Sequence, residues 1–91
     1  MEAKIIKTDG SEITVTPKNG KTFELTELQE SVDGYIEFLY LDKDSIMVVN
    51  EEGRLNGLGF NLSATNLVRE RLKANHIIVG NVMVVPRSMV N

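Results

Sequence analysis

Short runs rich in β-branched residues alternate with turn-forming dipeptides in the first quarter of the chain. Residues 3–7 and 12–16 flank Asp9-Gly10, where glycine accepts the positive φ of a tight hairpin turn. Asn19-Gly20 is the strongest hairpin signal in the chain, and residues 21–25 would form the returning strand. This pattern predicts a three-stranded antiparallel meander.

Two segments carry helical signals. Thr26 and Gln29 have the spacing of a capping box and Gly34 is a natural stop, so a helix of about two turns is predicted there. For the second helix, predicted over residues 64–73, Ser63 is the expected N-cap. Its apolar residues recur at helical spacing and form one stripe: Ala64, Leu67, Val68 and Leu72.

The remaining strands are apolar on both faces. Residues 35–41 and 45–49 form a pair around an acidic turn, and their two-faced character predicts central strands covered on each side. Residues 77–85 form a closing strand that Pro86 ends, and the tail 87–91 is expected to be loosely held. This order predicts a single α+β domain over residues 1–91, with a largely antiparallel five- or six-stranded sheet and two short helices on one side of it.

Composition supports a single soluble domain. With 42% hydrophobic residues, a chain of 91 residues can bury one core, and the absence of cysteine excludes disulfides, thiolate zinc sites and a cysteine nucleophile. The sequence shows neither a signal peptide nor an apolar run long enough to span a membrane, so we expect a cytoplasmic protein without a membrane partner. The net charge of -3 and the lack of tryptophan argue against a nucleic-acid partner.

Candidate chemistry is sparse. His76 is the only histidine, and the sequence marks no nucleophile or orienting acid beside it. The densest carboxylates, Asp42, Asp44, Glu51 and Glu52, lack the spacing of a calcium loop and are typical of solvated turns. We therefore expect no enzymatic activity, no catalytic residue, no metal site and no cofactor.

Polar residues and glycines accumulate between residues 50 and 61, just before the second helix. The N-terminus of a helix offers free backbone N–H groups to an anion, so one interpretation is a site for a small anionic or nucleotide ligand. The other is that the glycines permit a bulge and the asparagines satisfy turns. The residues assigned to a ligand- or partner-binding site are Asn50, Glu51, Glu52, Arg54, Asn56, Gly57 and Asn61.

Three sequence patterns in the second half of the chain are similar to those of a known family. They are G-Y-I-E from Gly34, N-E-E-G-R-L-N-G-L from Asn50, and I-I-V-G-N from Ile77. The chain resembles the family classed as domain of unknown function 3846, which is carried mainly by phages, plasmids and other mobile elements of bacteria. The resemblance implies an accessory protein that acts in the cytosol of a bacterial host.

That setting leads to three hypotheses. The first is a non-enzymatic binding module that inhibits a host protein, with a defence component as the foremost candidate. The second is a protein that binds or sequesters a small molecule or a nucleotide signal. The third is an accessory protein with no role in defence. Because open sheet edges invite pairing between chains, a homodimer is a further expectation.

Overall fold

The computed structural model describes residues 2–90 and contains one five-stranded antiparallel sheet with the strand order β2-β1-β5-β4-β3. Two helices and a short 3-10 helix accompany the sheet, which confirms the α+β class. The elements in chain order are β1 Ala3–Ile6, β2 Glu12–Val15, α1 Leu25–Val32, β3 Ile36–Tyr40, β4 Ser45–Asn50, α2 Leu62–Leu72, β5 Val82–Pro86 and the 3-10 helix Arg87–Met89.

The two helices lie on opposite faces of the sheet, so the prediction of both on one side was wrong. Strands β4 and β5 send apolar side chains to both faces, and each face requires a cover. Leu28 and Val32 of α1 pack in a cluster with Ile46, Val48, Met83 and Val85. Ala64 and Val68 of α2 pack in a second cluster with Met47, Val49 and Val82. Strand β4, buried along its whole length, separates the two cores.

The third strand of the predicted meander does not form. The side-chain oxygen of Asn19 accepts hydrogen bonds from the backbone N–H groups of Lys21 and Thr22, at 2.8 and 2.9 Å, so these donors are not available to a strand ladder. Among the described residues, this segment makes one isolated bridge, which is parallel and joins Phe23 to Val90. Helix α1 then begins at Leu25, and its capping box joins Glu24 and Glu27, two residues before the predicted one.

The N-cap of α2 is Asn61, two residues before the expected Ser63. The Asn61 side chain accepts a hydrogen bond of 3.0 Å from the backbone N–H of Ala64, which satisfies one of the free donors of the first turn. Ser63 lies inside the helix and is exposed. The apolar stripe of α2 is as predicted in its central part, since Ala64 and Val68 are buried.

Strand β3 is an outer strand of the sheet, although its apolar residues predicted a central position. The closing strand β5 is central instead, and it begins only after Gly80, which has φ +79 and interrupts the apolar run. Residues 87–90 of the tail are also more involved in the fold than expected, while Asn91 lies outside the described residues. The backbone N–H of Arg87 donates to the Asp44 carbonyl at 2.9 Å, and the N–H of Phe23 donates to the Met89 carbonyl at 2.7 Å.

Candidate functional site

A partly enclosed pocket of about 510 Å³ lies at the edge of the sheet, on the face that α2 covers. Three segments bound it: the turn after β4, the approach to β5 at residues 76–79, and the outer strand β3. Of the residues assigned from the sequence, Asn50, Glu51, Glu52 and Arg54 line this pocket. Two other cavities in the described part of the chain, of about 340 and 260 Å³, contain none of the assigned residues.

The pocket combines an apolar floor with an acidic wall. Val49 and Ile78 are buried beneath it, and Leu39 is half-buried on β3. Exposed carboxylates line its wall from both β3 and the following turn: Glu37, Glu51 and Glu52. Two large apolar side chains stand at its rim, where Leu55 is 81% exposed and Ile77 is 53% exposed.

The turn that carries the carboxylates is held by Asn50 and by the neighbouring strand. The Asn50 side-chain oxygen accepts a hydrogen bond of 2.8 Å from the N–H of Glu52. The N–H of Glu51 donates to the Tyr35 carbonyl at 2.9 Å, which extends the β3–β4 ladder by one residue pair. Two hydrogen bonds therefore fix the start of this turn relative to the sheet, and the two glutamates that it carries are exposed.

The opposite wall, residues 76–79, is attached to α2 and to the turn. The backbone N–H of Ile78 donates to the hydroxyl of Thr65 at 2.9 Å. A Cβ placed on Gly53 would lie 2.7 Å from Cγ2 of Val79, so only glycine lets the turn approach this wall so closely. Arg54 reaches across the pocket, and its guanidinium lies 3.5 Å from the Ile77 carbonyl oxygen.

Asn61 does not belong to this pocket. It is fully buried, and its side-chain NH₂ donates to the carbonyls of Ile6 and Gly80, at 3.1 and 2.9 Å, while its oxygen caps α2. Asn61 therefore joins three elements and has no atom free for a ligand. Asn56 and Gly57 are exposed in the turn but do not line the pocket, and Gly57 adopts φ +68 to close that turn.

Other pocket residues were not identified from the sequence. Glu37 stands between the apolar residues Ile36 and Phe38 on β3, and a lone carboxylate in an apolar strand could have marked a wet position beside a cavity. Leu55, an apolar residue inside a polar turn, carried a similar signal. His76 lines the pocket only because the chain approaches β5 beside the turn, and no local pattern could indicate this.

The charges of the pocket favour a cationic ligand. Three carboxylates face one guanidinium, that of Arg54, so the local field attracts positive charge. The anionic or nucleotide ligand expected from the sequence would meet these carboxylates. Moreover, the first turn of α2, where an anion was expected to bind, is already capped by Asn61.

The carboxyl groups with altered pKa values lie outside the pocket, two of them in turns and Glu27 in the first helical turn of α1. The Ser11 hydroxyl lowers the pKa of Asp9, the backbone N–H of Glu24 lowers that of Glu27, and the backbone N–H of Asp44 lowers that of Asp42. Asp42 also pairs with Arg71 at 2.8 Å. These groups stabilise local structure, because each accepts hydrogen bonds in its ionised form.

Within residues 2–90, no group of three or more histidine and acidic side chains is arranged to hold a metal ion. None of the helices in this same range is long and apolar enough to cross a membrane.

The fold and the pocket together define a small α+β domain whose acidic pocket opens at the edge of its sheet. The chain belongs to the family described as Domain of unknown function (DUF3846), whose model matches residues 1–88. Neither the comparison with curated proteins nor the comparison with solved structures gave a match.

Proposed function

We propose that the protein is a non-enzymatic binding module whose partner protein docks at the acidic pocket and its apolar rim. The observation that carries this proposal is Leu55, which is 81% exposed at the rim of the acidic pocket. Large apolar side chains grouped on a surface and bordered by polar ones mark interaction sites. Ile77, half-exposed across the pocket, extends this surface.

The lining of the pocket supports binding rather than catalysis. No serine, threonine, cysteine, lysine or tyrosine lines it in the part of the chain that the structure describes, so hydroxyl, thiol and amine nucleophiles are missing there. His76 lines the pocket too, but within residues 2–90 it makes neither a hydrogen bond nor an ion pair that would orient it as a base.

The setting of the proposal comes from the resemblance to proteins of phages and other mobile elements. In that setting, the partner is a cytosolic protein of the bacterial host. A defence component is the foremost candidate, because its inhibition benefits the mobile element. An accessory role without defence is the alternative, and the identity of the captured partner separates the two.

The test is capture from bacterial lysates with matched charge variants. The tagged wild-type protein is compared with the double variant Glu51→Lys, Glu52→Lys and with a control, Glu30→Lys, Glu70→Lys. The control makes the same change in net charge at exposed positions of α1 and α2. We expect the wild type and the control to retain one specific protein that the pocket variant loses. Equal retention by all three, or no specific protein from several hosts, would reject the proposal.

A small-molecule ligand is the second candidate, because the pocket volume lies within the usual range of ligand sites. The three carboxylates favour a cationic ligand such as a polyamine over a nucleotide. Thermal unfolding with panels of polyamines, nucleotides and cyclic nucleotides tests this, since a ligand at a hundredfold excess over its Kd stabilises by about 2.7 kcal/mol. A shift with a polyamine would support this candidate, and unchanged unfolding with every compound would reject it.

A further inference from the structure

The outer edge of β3 is open to another strand. In an antiparallel pair, residues alternate between those that bond to the partner strand and those whose backbone groups face away from it. The N–H of Leu41 donates to the Ser45 carbonyl at 3.1 Å, and that of Glu51 donates to the Tyr35 carbonyl. The bonded pairs are therefore the odd-numbered residues of β3, and the backbone groups of Ile36, Phe38 and Tyr40 face the open edge.

The edge of β3 carries few of the features that block strand addition. Natural edges are protected by proline, by lysine and other charged side chains, by bulges or by a covering element. Of these, β3 has one charged side chain, Glu37, which would repel an acidic segment but attract a basic one. Strand β3 contains no proline or lysine, and its register with β4 is continuous from Ile36 to Tyr40. Among the described residues, no strand other than β4 pairs with it.

The two faces of β3 differ in chemistry. Glu37 and Leu39 face the acidic pocket, whereas Ile36 and Phe38 pack in the α1 core. Successive side chains of an added strand would alternate between these faces. Those on the pocket side would meet Glu37, Glu51 and Glu52, and those on the other side would lie beside half-buried apolar residues.

We propose that β3 accepts an extended segment of the partner protein, which carries lysine or arginine at alternate positions and apolar side chains between them. This inference rests on the proposed binding function and identifies the form and chemistry of the partner at that site. Main-chain hydrogen bonds to the open edge supply affinity, and the acidic pocket selects the basic side chains.

Charge argues against a second copy of this chain as the occupant. A copy that paired through its own β3 would bring another Glu37 toward the same acidic face, and the described part of β3 offers no basic side chain in return. Like charges placed across such an interface oppose pairing.

The experiment selects short random peptides on the wild-type protein and measures the enriched sequences against three criteria. We expect the enriched peptides to carry basic residues at alternate positions. They should bind the double variant Glu51→Lys, Glu52→Lys about tenfold or more weakly than the control double variant Glu30→Lys, Glu70→Lys. Their binding should also slow amide exchange at Ile36, Phe38 and Tyr40. N-methylation of the peptide amides that face the edge should abolish binding, whereas N-methylation of the intervening amides should preserve it.

Several results would overturn the inference. They are a selection that enriches no peptide, enriched peptides without basic residues at alternate positions, and equal effects of the two N-methylated peptide sets on binding. A dimer that forms through β3 of two copies of this chain is the fourth. These failures are distinct from failure of the proposed function. Suppose that the wild type captures a protein that the pocket variant loses, and that this protein leaves amide exchange at Ile36, Phe38 and Tyr40 unchanged. That result would support the binding function and reject strand addition. Absence of any pocket-dependent partner would reject the function itself.

Discussion

The side-chain NH₂ of Asn50 donates a hydrogen bond of 2.9 Å to the carbonyl oxygen of Val32, at the C-terminal end of α1. The same side chain accepts from the N–H of Glu52, so one buried residue ties the helix on one face of the sheet to the turn that carries the acidic wall of the pocket.

Replacement of Asn50 should therefore destabilise the fold. Asn50→Ala leaves the Val32 carbonyl and the Glu52 N–H without these partners, and a buried polar group left unsatisfied costs about 1–3 kcal/mol. We expect a decrease of about 2 kcal/mol in the free energy of unfolding, measured by urea titration. Asn56→Ala, at an exposed turn position, is the control and should stay within about 0.5 kcal/mol of the wild type. Equal effects of the two would contradict the anchoring role of Asn50.

Asn61 should behave as a structural residue and not as a binding residue. Asn61→Ala removes the cap of α2 and the donors to two buried carbonyls, so we expect a loss of about 3 kcal/mol in the free energy of unfolding. Ser63→Ala, which alters the N-cap expected from the sequence, should change it by less than about 0.5 kcal/mol. Thermal or urea unfolding of both variants decides the point, and a larger effect at Ser63 would refute this assignment.

Gly53 and Val79 should show coupled energetics. Gly53→Ala forces a Cβ to within 2.7 Å of a Val79 methyl group, and such overpacking costs about 1–3 kcal/mol. Because Val79→Ala removes that methyl group, the double variant should lose less stability than the sum of the single variants. Gly59→Ala is the matched control, since no atom lies within 4 Å of its Cβ position, and it should be neutral or slightly stabilising. Additive effects in the cycle would contradict the close packing of these two walls.

The Glu27 carboxylate, in the first turn of α1, should make the free energy of unfolding depend on pH in the acid range. Its carboxylate accepts hydrogen bonds from the N–H groups of Glu24 and Lys18, at 2.7 and 2.8 Å, and these bonds lower its pKa below the ordinary 4.5. A carboxyl with a lowered pKa in the folded state contributes stability that is complete above 4.5 and is lost as the pH falls through the lowered value. Glu27→Gln should remove this part of the acid dependence and lower stability at neutral pH. Urea midpoints across the acid range measure it, with Glu30→Gln as the control, and an unchanged pH dependence in Glu27→Gln would contradict the assignment.

The features that the sequence predicted well depend on local periodicity, and those that it missed depend on distant partners. The stripe around Ala64 and Val68 identified α2, because burial of one helical face follows from spacing alone. Asn61 was interpreted as a site residue because its partners, the carbonyls of Ile6 and Gly80, belong to segments far away in the chain. The strand at residues 21–25 failed for a local reason, since Asn19 captures the donors that a ladder would need.

The pocket shows the same division. Asn50 to Arg54 form one turn, so the accumulation of polar residues there indicated a shared surface that the structure places at the pocket. Glu37 and His76 come from an outer strand and from the approach to a central one, and only the strand order brings them to the same cavity.

The most direct test of the account is amide hydrogen exchange on the complex with the protein captured from lysate. If that partner docks at the acidic pocket, exchange should slow at residues 51–55 and 76–79 and should be unchanged along β2, at the opposite edge of the sheet. Slowed exchange confined to β2 or to the exposed face of α1, with the pocket segments unaffected, would contradict the central claim that the pocket is the binding site.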